Sequence, residues 1–375
     1  MVVSDESGLN IDCGATIPPP DLLTLRMWVT DDKYIKTGEN KLLLTPTNLP
    51  QMSTLRSFPK GSNNNCYNLP LKSQSKYLVR AGFYYGNYDN LQKPPTFGLQ
   101  LQSGSVNVKV TTSLDFDPIY HEFIIFTTKS NFDVCLVQTQ EDQTPFISTL
   151  EVTIIDQKAY RLMNENMALY LESRINYGVD KSVPERLLWY DEKYNRIWRP
   201  QEDPRYLSNQ YGFSIQLTSM NEENSPPDVV MCSSIEAHNA SESIVLPIKF
   251  RQKSQVSAYF VLYFDVIAAY KPFEDARTVS ISIDGQLMNT TQLPGLGSGE
   301  VVSMYPVKVT GGMATLTIAS AGGTTTSPPA LLNAMEVFSV LDVSNVGRSS
   351  ESVLGSSFSL VLLLSMLYCM EWIDF

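Results

Sequence analysis

Histidine is almost missing from this chain. Two stand in 375 residues, His121 and His238, which removes most histidine-based acid–base chemistry and most histidine-ligated metal centres. Cysteine offers no substitute. Cys13, Cys66, Cys135, Cys232 and Cys369 are far apart, with no CxxC pair and no Cys/His cluster, so no zinc pattern exists. We expect neither metal nor cofactor. Positive charge is scarce as well: Lys and Arg number 28 against 39 acidic residues, a net charge of −11. Phosphate binding needs clustered Lys and Arg, so nucleic acid is not among the expected partners. A long, well-capped helical pattern is missing too, and "MVVSDESGLNIDCG" at the start carries no apolar leader.

What is present is alternation. In "SVNVKV", Val106, Val108 and Val110 alternate with polar residues; "VSISID" does the same with Val279, Ile281 and Ile283, and "ATLTIAS" with Leu316 and Ile318. A period of two puts one face in a core and one in water. Turn clusters such as "PKGSNNN", "NSPPD" and "AGGTTTSPP" separate these runs, and many short strands with such turns predict β-sandwiches. The chain also resembles itself. "DDKY" at 31–34 returns as "DEKY" at 191–194, each with a Trp upstream. "KYLVRAGFYYGNYD…FGLQLQSG" resembles "AYFVLYFDVIAAY…VSISIDG", with Tyr77 matched to Tyr259. "PFISTLEV" resembles "PALLNAMEV". Three matches in one order predict two copies of one domain.

Several stretches invite chemical readings. In "FYYGNYDN", Tyr84, Tyr85 and Tyr88 lie beside Asn87 and Asp89 where a strand gives way to a loop. Aromatic faces with neighbouring carboxylate and amide groups suit a sugar ring; the bland reading is that alternate tyrosines fill the core. The matching stretch of the second copy offers Asp265 and Tyr270, with core packing the competing reading. "LDFDP" sets Asp115 and Asp117 two apart, a spacing that overlaps paired glycosidase carboxylates on a strand. DxDP is also ordinary turn chemistry, and the expectation is no catalysis. "GLGSGE" is followed by a strand-like run, so it lacks the helix N-terminus a phosphate loop needs. "RIWRP" and "TLRSFPKG" join arginines to aromatics and read as interdomain packing. Asn239 in "NAS" and Asn289 in "NTT" fit the N-glycosylation triplet, which counts only in a secreted chain.

"IDCG" at 11–14, "TLRSFPKGSNNNCYNL" at 54–69, "YLVRAGFYYGNYD" at 77–89, "VCLV" at 134–137, "TPFISTLEV" at 144–152, "YNRIW" at 194–198 and "SPPALLNAMEVFSV" at 327–340 resemble the malectin-like ectodomain of plant leucine-rich-repeat receptor-like protein kinases. The resemblance covers roughly residues 9 to 343. It implies an all-β fold of two tandem malectin-like, jelly-roll-like β-sandwiches, at 9–155 and 160–343, followed by a linker and short apolar tail at 344–375. It implies a recognition module on the extracellular face of the plasma membrane or secreted, which binds cell-wall carbohydrate or a secreted peptide or protein, with a receptor-kinase co-receptor as a further partner. In the malectin fold the sugar site uses aromatics and an Asp on loops, which points to Tyr84–Asp89. In a secreted chain a Cys66–Cys135 bridge is favoured, with Cys13 the competing partner. Leucine-rich repeats and kinase motifs are absent from the sequence, so kinase output is not implied. A glycan-acting enzyme and an incomplete or decoy product of a receptor-kinase gene remain the alternatives. The tail, apolar over 353–370, has three readings: a membrane span, a GPI-attachment signal, or a splice or gene-model end.

Overall fold

A computed structural model describes residues 8–43, 49–59, 65–102, 104–115, 117–210, 223–265, 277–293, 299–321 and 327–344. The first half holds β1 (Leu9–Asp12), β2 (Trp28–Thr30), β3 (Glu39–Leu42), β4 (Thr54–Ser57), β5 (Cys66–Pro70), β6 (Ser75–Phe83), β7 (Thr96–Leu101), β8 (Val106–Thr111), β9 (Ile119–Thr127), β10 (Asn131–Val137), β11 (Phe146–Ile147) and β12 (Thr149–Ile155). The second holds β13 (Met167–Tyr177), β14 (Arg199–Gln201), β15 (Leu207–Gln210), β16 (Ser233–Glu236), β17 (Ser243–Lys249), β18 (Val256–Phe264), β19 (Thr278–Ile283), β20 (Gln286–Gln292), β21 (Glu300–Val309), β22 (Met313–Ser320), β23 (Leu331–Leu332) and β24 (Ala334–Asp342).

The duplication is written in the pairing. One half contains the sheet β5-β10-β7-β8, the other β17-β22-β19-β20; one contains β11-β4-β3, the other β23-β16-β15. Adding twelve to each strand number converts the first half into the second. The remaining strands, β2-β1-β12-β6-β9 and β14-β13-β24-β18-β21, are fused into one ten-stranded sheet. The fusion is a short antiparallel pairing of β13 with β9, Leu169 opposite Ile124 and Tyr170 opposite Phe123.

That sheet has two occupied faces. On one, Ile11, Val79, Phe123 and Val152 pack against Tyr67, Leu69, Phe97, Leu99 and Leu136 of the β5-β10-β7-β8 sheet, making the first sandwich core. Phe260, Leu262, Met335 and Val337 do the same against Ile244, Leu246, Ile281 and Leu316 in the second. On the opposite face a third apolar cluster runs across both halves. Leu78, Ile124, Leu169, Tyr259, Val261 and Phe338 of the sheet lie under Tyr160, Leu187, Tyr194 and Trp198. The connections from β12 to β13 and from β13 to β14 thus roof the joined sheet, and "RIW" at 196–198 is junction packing.

Two glycines mark the same point of each copy. Gly14, just after β1, has φ +76°, and a Cβ there would stand 2.1 Å from the Leu55 carbonyl oxygen of β4. Gly178, just after β13, has φ +78° and a Cβ position 2.2 Å from the Ser234 oxygen of β16. The left-handed backbone and the main-chain contact exclude any side chain. Gly14→Ala is expected to cost at least about 2 kcal/mol, read as a lower urea midpoint with an unchanged slope. Cys66 and Cys135 face each other directly on β5 and β10 and are disulfide-bonded, joining positions 69 apart. Cys13 and Cys232 are buried thiols.

Candidate recognition surface

The loop after β6 uses its own polar groups. Tyr84 and Tyr85 are buried in the first core, where Tyr85 sits edge-on to Tyr88, at 5.7 Å, and 6.2 Å from Phe146. The Tyr85 hydroxyl donates to Asp89 Oδ1 at 2.5 Å. Asn87 Oδ1 accepts from Gln92 N at 2.7 Å, and Asp89 Oδ1 also accepts from Leu91 N at 3.1 Å. Burial together with the Asp89 carboxylate pushes the Tyr85 phenol up to about 12, so it stays protonated and donates. Tyr88, Asn87 and Asp89 are half-buried. The five candidates are therefore brought together, but as a loop that closes on itself, with Tyr84 and Tyr85 turned away from solvent.

In the second copy Asp265 follows β18 as Tyr84 follows β6. The backbone N–H of Tyr84 donates to Ser148 Oγ at 3.1 Å, and that of Asp265 donates to Asn333 Oδ1 at 2.8 Å. The Asp265 carboxylate is 2% exposed and has no hydrogen-bond partner among the described residues. Burial, aided by the Asp228 charge, raises its pKa to about 7. Tyr270, the "GLG" of the Gly-rich loop and the apolar tail from 345 onward lie outside the described residues. Asp115 and Asp117 are exposed on a bend between β8 and β9, not on a strand, so the backbone spacing that suggested a glycosidase pair does not apply. Asn239 is exposed and Asn289 half-buried.

A different surface is open. From Leu22 to Leu25 the chain turns, the Leu25 N–H closing on the Asp21 carbonyl at 3.0 Å, and then runs into β2, the outermost strand of the joined sheet. Leu23, Leu25, Met27 and Val29 face water, Met27 at 84% exposure, with Leu22 beside them. Thr24 and Arg26 are buried instead. Arg26 donates to the Glu192 carbonyl at 2.7 Å, and the Thr24 carbonyl accepts the Trp189 N–H at 3.1 Å. That last bond brings Trp189 (52% exposed) and Tyr190 to the same surface. The result is an apolar strip built from both halves. In the second copy the strand equivalent to β2 is "RPQ", a charged and proline-bearing edge of the usual protective kind. The signal was in the sequence as period-two alternation over 23–29, but with the apolar side outward.

Behind the strip lies a buried ionic network that the sequence did not reveal. Arg174 bridges Glu122 at 2.7 Å and Glu336 at 2.5 Å, tying β13 to β9 and β24. Arg186 holds Glu151 through two bonds of 3.0 Å, and Asn195 reaches the same carboxylate at 2.8 Å. Burial alone would raise the Glu151 pKa, yet the Arg186 and Arg80 guanidiniums outweigh it and hold the group at about 2. Glu192 accepts from Arg196 and, at 2.7 Å, from Trp198 Nε1. Glu151 and Glu336 occupy equivalent places, two residues into β12 and β24.

A family model for the malectin-like domain matches residues 11–340. The chain belongs to the malectin-like family. This malectin-like chain is 28% identical over 355 residues to an uncharacterized protein of Arabidopsis thaliana, across 94% of the chain and 68% of that protein. It is 26% identical over 362 residues to a leucine-rich repeat receptor-like serine/threonine-protein kinase of the same plant, across 92% of the chain but 39% of the kinase. The chain thus spans about two-fifths of that kinase's length. Among solved structures, the ANX2 ectodomain from Arabidopsis thaliana superposes with a TM-score of 0.70 at 15% identity, covering 88% of this chain and 96% of that one. A structure of the plant peptide RALF23 in complex with FER and LLG2 matches at 0.68 and 14% identity, covering 91% and 96%. At those identities the likeness shows the fold, two tandem β-sandwiches. Among the described residues no helix is long and apolar enough to cross a membrane, and no His/Cys/Asp/Glu group is placed to hold a metal.

Proposed function

We propose that this chain is a non-catalytic recognition module working outside the cell, with its two sandwiches at about 9–155 and 160–343. Its ligand is a peptide or protein, which docks on the strip of Leu22–Val29 with Trp189 and Tyr190. The observation that carries this reading is the exposure of that strip: a folded chain rarely leaves contiguous apolar side chains in water unless a partner covers them. The sugar reading has less support, because two of the three rings meant as a platform, Tyr84 and Tyr85, are in the core and the carboxylate meant for hydroxyls is bonded to Tyr85. The receptor-like kinase among the relatives supports an extracellular site, and the peptide complex among the fold neighbours supports a peptide ligand.

The test is a binding screen of the purified chain against secreted peptides and cell-wall oligosaccharides, read by biolayer interferometry. At least one peptide should bind. Met27→Asp and Trp189→Ala should each weaken it by tenfold or more, since each removes roughly 1.5–3 kcal/mol of buried apolar contact. An oligosaccharide whose binding survives both changes and is lost in Asp89→Ala would restore the sugar reading instead.

A further inference from the structure

The turn between β16 and β17 reads His238-Asn239-Ala240-Ser241-Glu242, and its side chains bond to one another. Asn239 Oδ1 accepts the Ser241 N–H at 3.0 Å and the Ser241 hydroxyl at 2.5 Å. Asn239 Nδ2 donates to Glu242 Oε1 at 3.0 Å, and the Glu242 N–H closes the turn on the Asn239 carbonyl at 3.2 Å. Asn239, Ser241 and Glu242 are exposed, while Ala237 anchors the turn to the Ala330 carbonyl at 2.9 Å. The amide is therefore held at a tip. Its oxygen is polarised by the hydroxyl two residues on, and its nitrogen faces a carboxylate.

The turn exposes the Asn239 amide and lets the residue at +2 reach the amide oxygen, the surface-loop setting in which an N-x-S/T acceptor is found. An extended strand cannot do this, since positions i and i+2 stand about 6.5–7 Å apart. Asn289, in the other acceptor triplet, has that extended form: it is half-buried in β20, opposite Ile281. In the folded protein the two triplets are not equivalent.

We propose that Asn239 is a site of N-linked glycosylation. The proposal rests on the extracellular reading only in that the chain must enter the secretory pathway. Nδ2 attacks the anomeric carbon of an oligosaccharide carried on a polyprenyl diphosphate. A C–N bond forms as the C–O bond to the diphosphate breaks, the electron pair leaves on the diphosphate oxygen, and Nδ2 gives one of its two protons to a base of the transferase. The glycan stands on a turn of the second half.

The full chain, placed behind a cleavable secretion leader and carrying Asn289→Gln, is translated with endoplasmic-reticulum microsomes, and the protease-protected fraction is analysed by mass spectrometry. One glycan should be found, on the Asn239 peptide and removable by peptide-N-glycosidase. It should vanish in Asn239→Gln and in Ser241→Ala and persist in Ser241→Thr. A protected chain with unmodified Asn239 overturns the proposal. Failure of the extracellular reading has a separate readout, the absence of the native protein from the extracellular fraction of its own tissue.

Discussion

Glu336→Ala should destabilise the fold by about 3–5 kcal/mol, the cost of breaking a buried ion pair by removing one of its members. Glu336 is fully buried and accepts from Arg174 Nε at 2.5 Å, from the Tyr160 hydroxyl at 3.0 Å and from the Tyr263 hydroxyl. Arg196 lies 3.7 Å away. Removing the carboxylate leaves Arg174 with Glu122 and Arg196 with Glu192, each short of one buried counter-charge, and takes the acceptor from two buried phenols. Glu336→Gln keeps acceptor capacity and loses only charge, so it should fall between the variant and the native protein. Arg205→Ala is the control. Its ion pair with Asp203 is as short, 2.6 Å, but the Arg205 side chain is 54% exposed, and such a pair contributes up to about 1 kcal/mol. Urea denaturation of the three variants should rank them in that order. Equal costs for Glu336→Ala and Arg205→Ala would show that the junction network holds nothing together.

The strands were legible and their faces only partly so. "SVNVKV", "VSISID" and "ATLTIAS" became β8, β19 and β22 because alternation is a local property. "STLEV" and "NAMEV" are equivalent in the structure down to Glu151 and Glu336, each opposite a strand of its own sandwich. Matching Tyr77 with Tyr259, however, is one residue out of register. In the sheet Thr149 faces Gly82 and Ala334 faces Tyr263, so Tyr259 corresponds to Leu78. One residue changes the face of a strand: Tyr77 packs in the first sandwich core and Tyr259 in the junction. "DDKY" and "DEKY" are not equivalent at all, since one follows β2 and the other precedes β14. The rule of apolar inside failed along 23–29 for a related reason. The inner neighbours of the stretch leading into β2 are the Glu192 carbonyl and Trp189 N–H of the other half. They demand polar partners, which turns Leu25 and Met27 outward. Junction contacts join residues 35 positions apart, as in Arg186 with Glu151, and 166 apart, as in Arg26 with Glu192, and no local pattern carries them.

Stability should be highest in mild acid. Asp12, buried on β1, has one oxygen bonded to the Thr54 hydroxyl at 2.6 Å and the other without a partner among the described residues. Burial and the nearby Asp31 charge outweigh that bond and raise its pKa to about 7, where Asp265 also stands. A carboxyl raised above its unfolded value binds its proton more tightly when folded. Its stabilising contribution is complete below the unfolded pKa near 4 and is lost as pH climbs to about 7. His121 opposes this: burial and the Arg251 charge lower it to about 4, so it favours the folded state above about 6.5 and loses that contribution as pH falls. Two protons against one leave a net gain of about 3–5 kcal/mol between pH 8 and pH 5, since each tenfold change in proton affinity is worth about 1.4 kcal/mol. Below that, Glu151, held at about 2, and Glu336, also lowered, begin to lose their ionised state's advantage. Chemical denaturation from pH 3 to pH 9 should therefore give a maximum near pH 5. Asp12→Asn and Asp265→Asn should each raise stability at pH 8 and flatten the slope above pH 5, and the double variant should reverse it, because His121 then acts unopposed. A maximum that stays near pH 7 in the native protein, unmoved by either substitution, would mean that both carboxyls are charged in the folded state and that a partner compensates each of them.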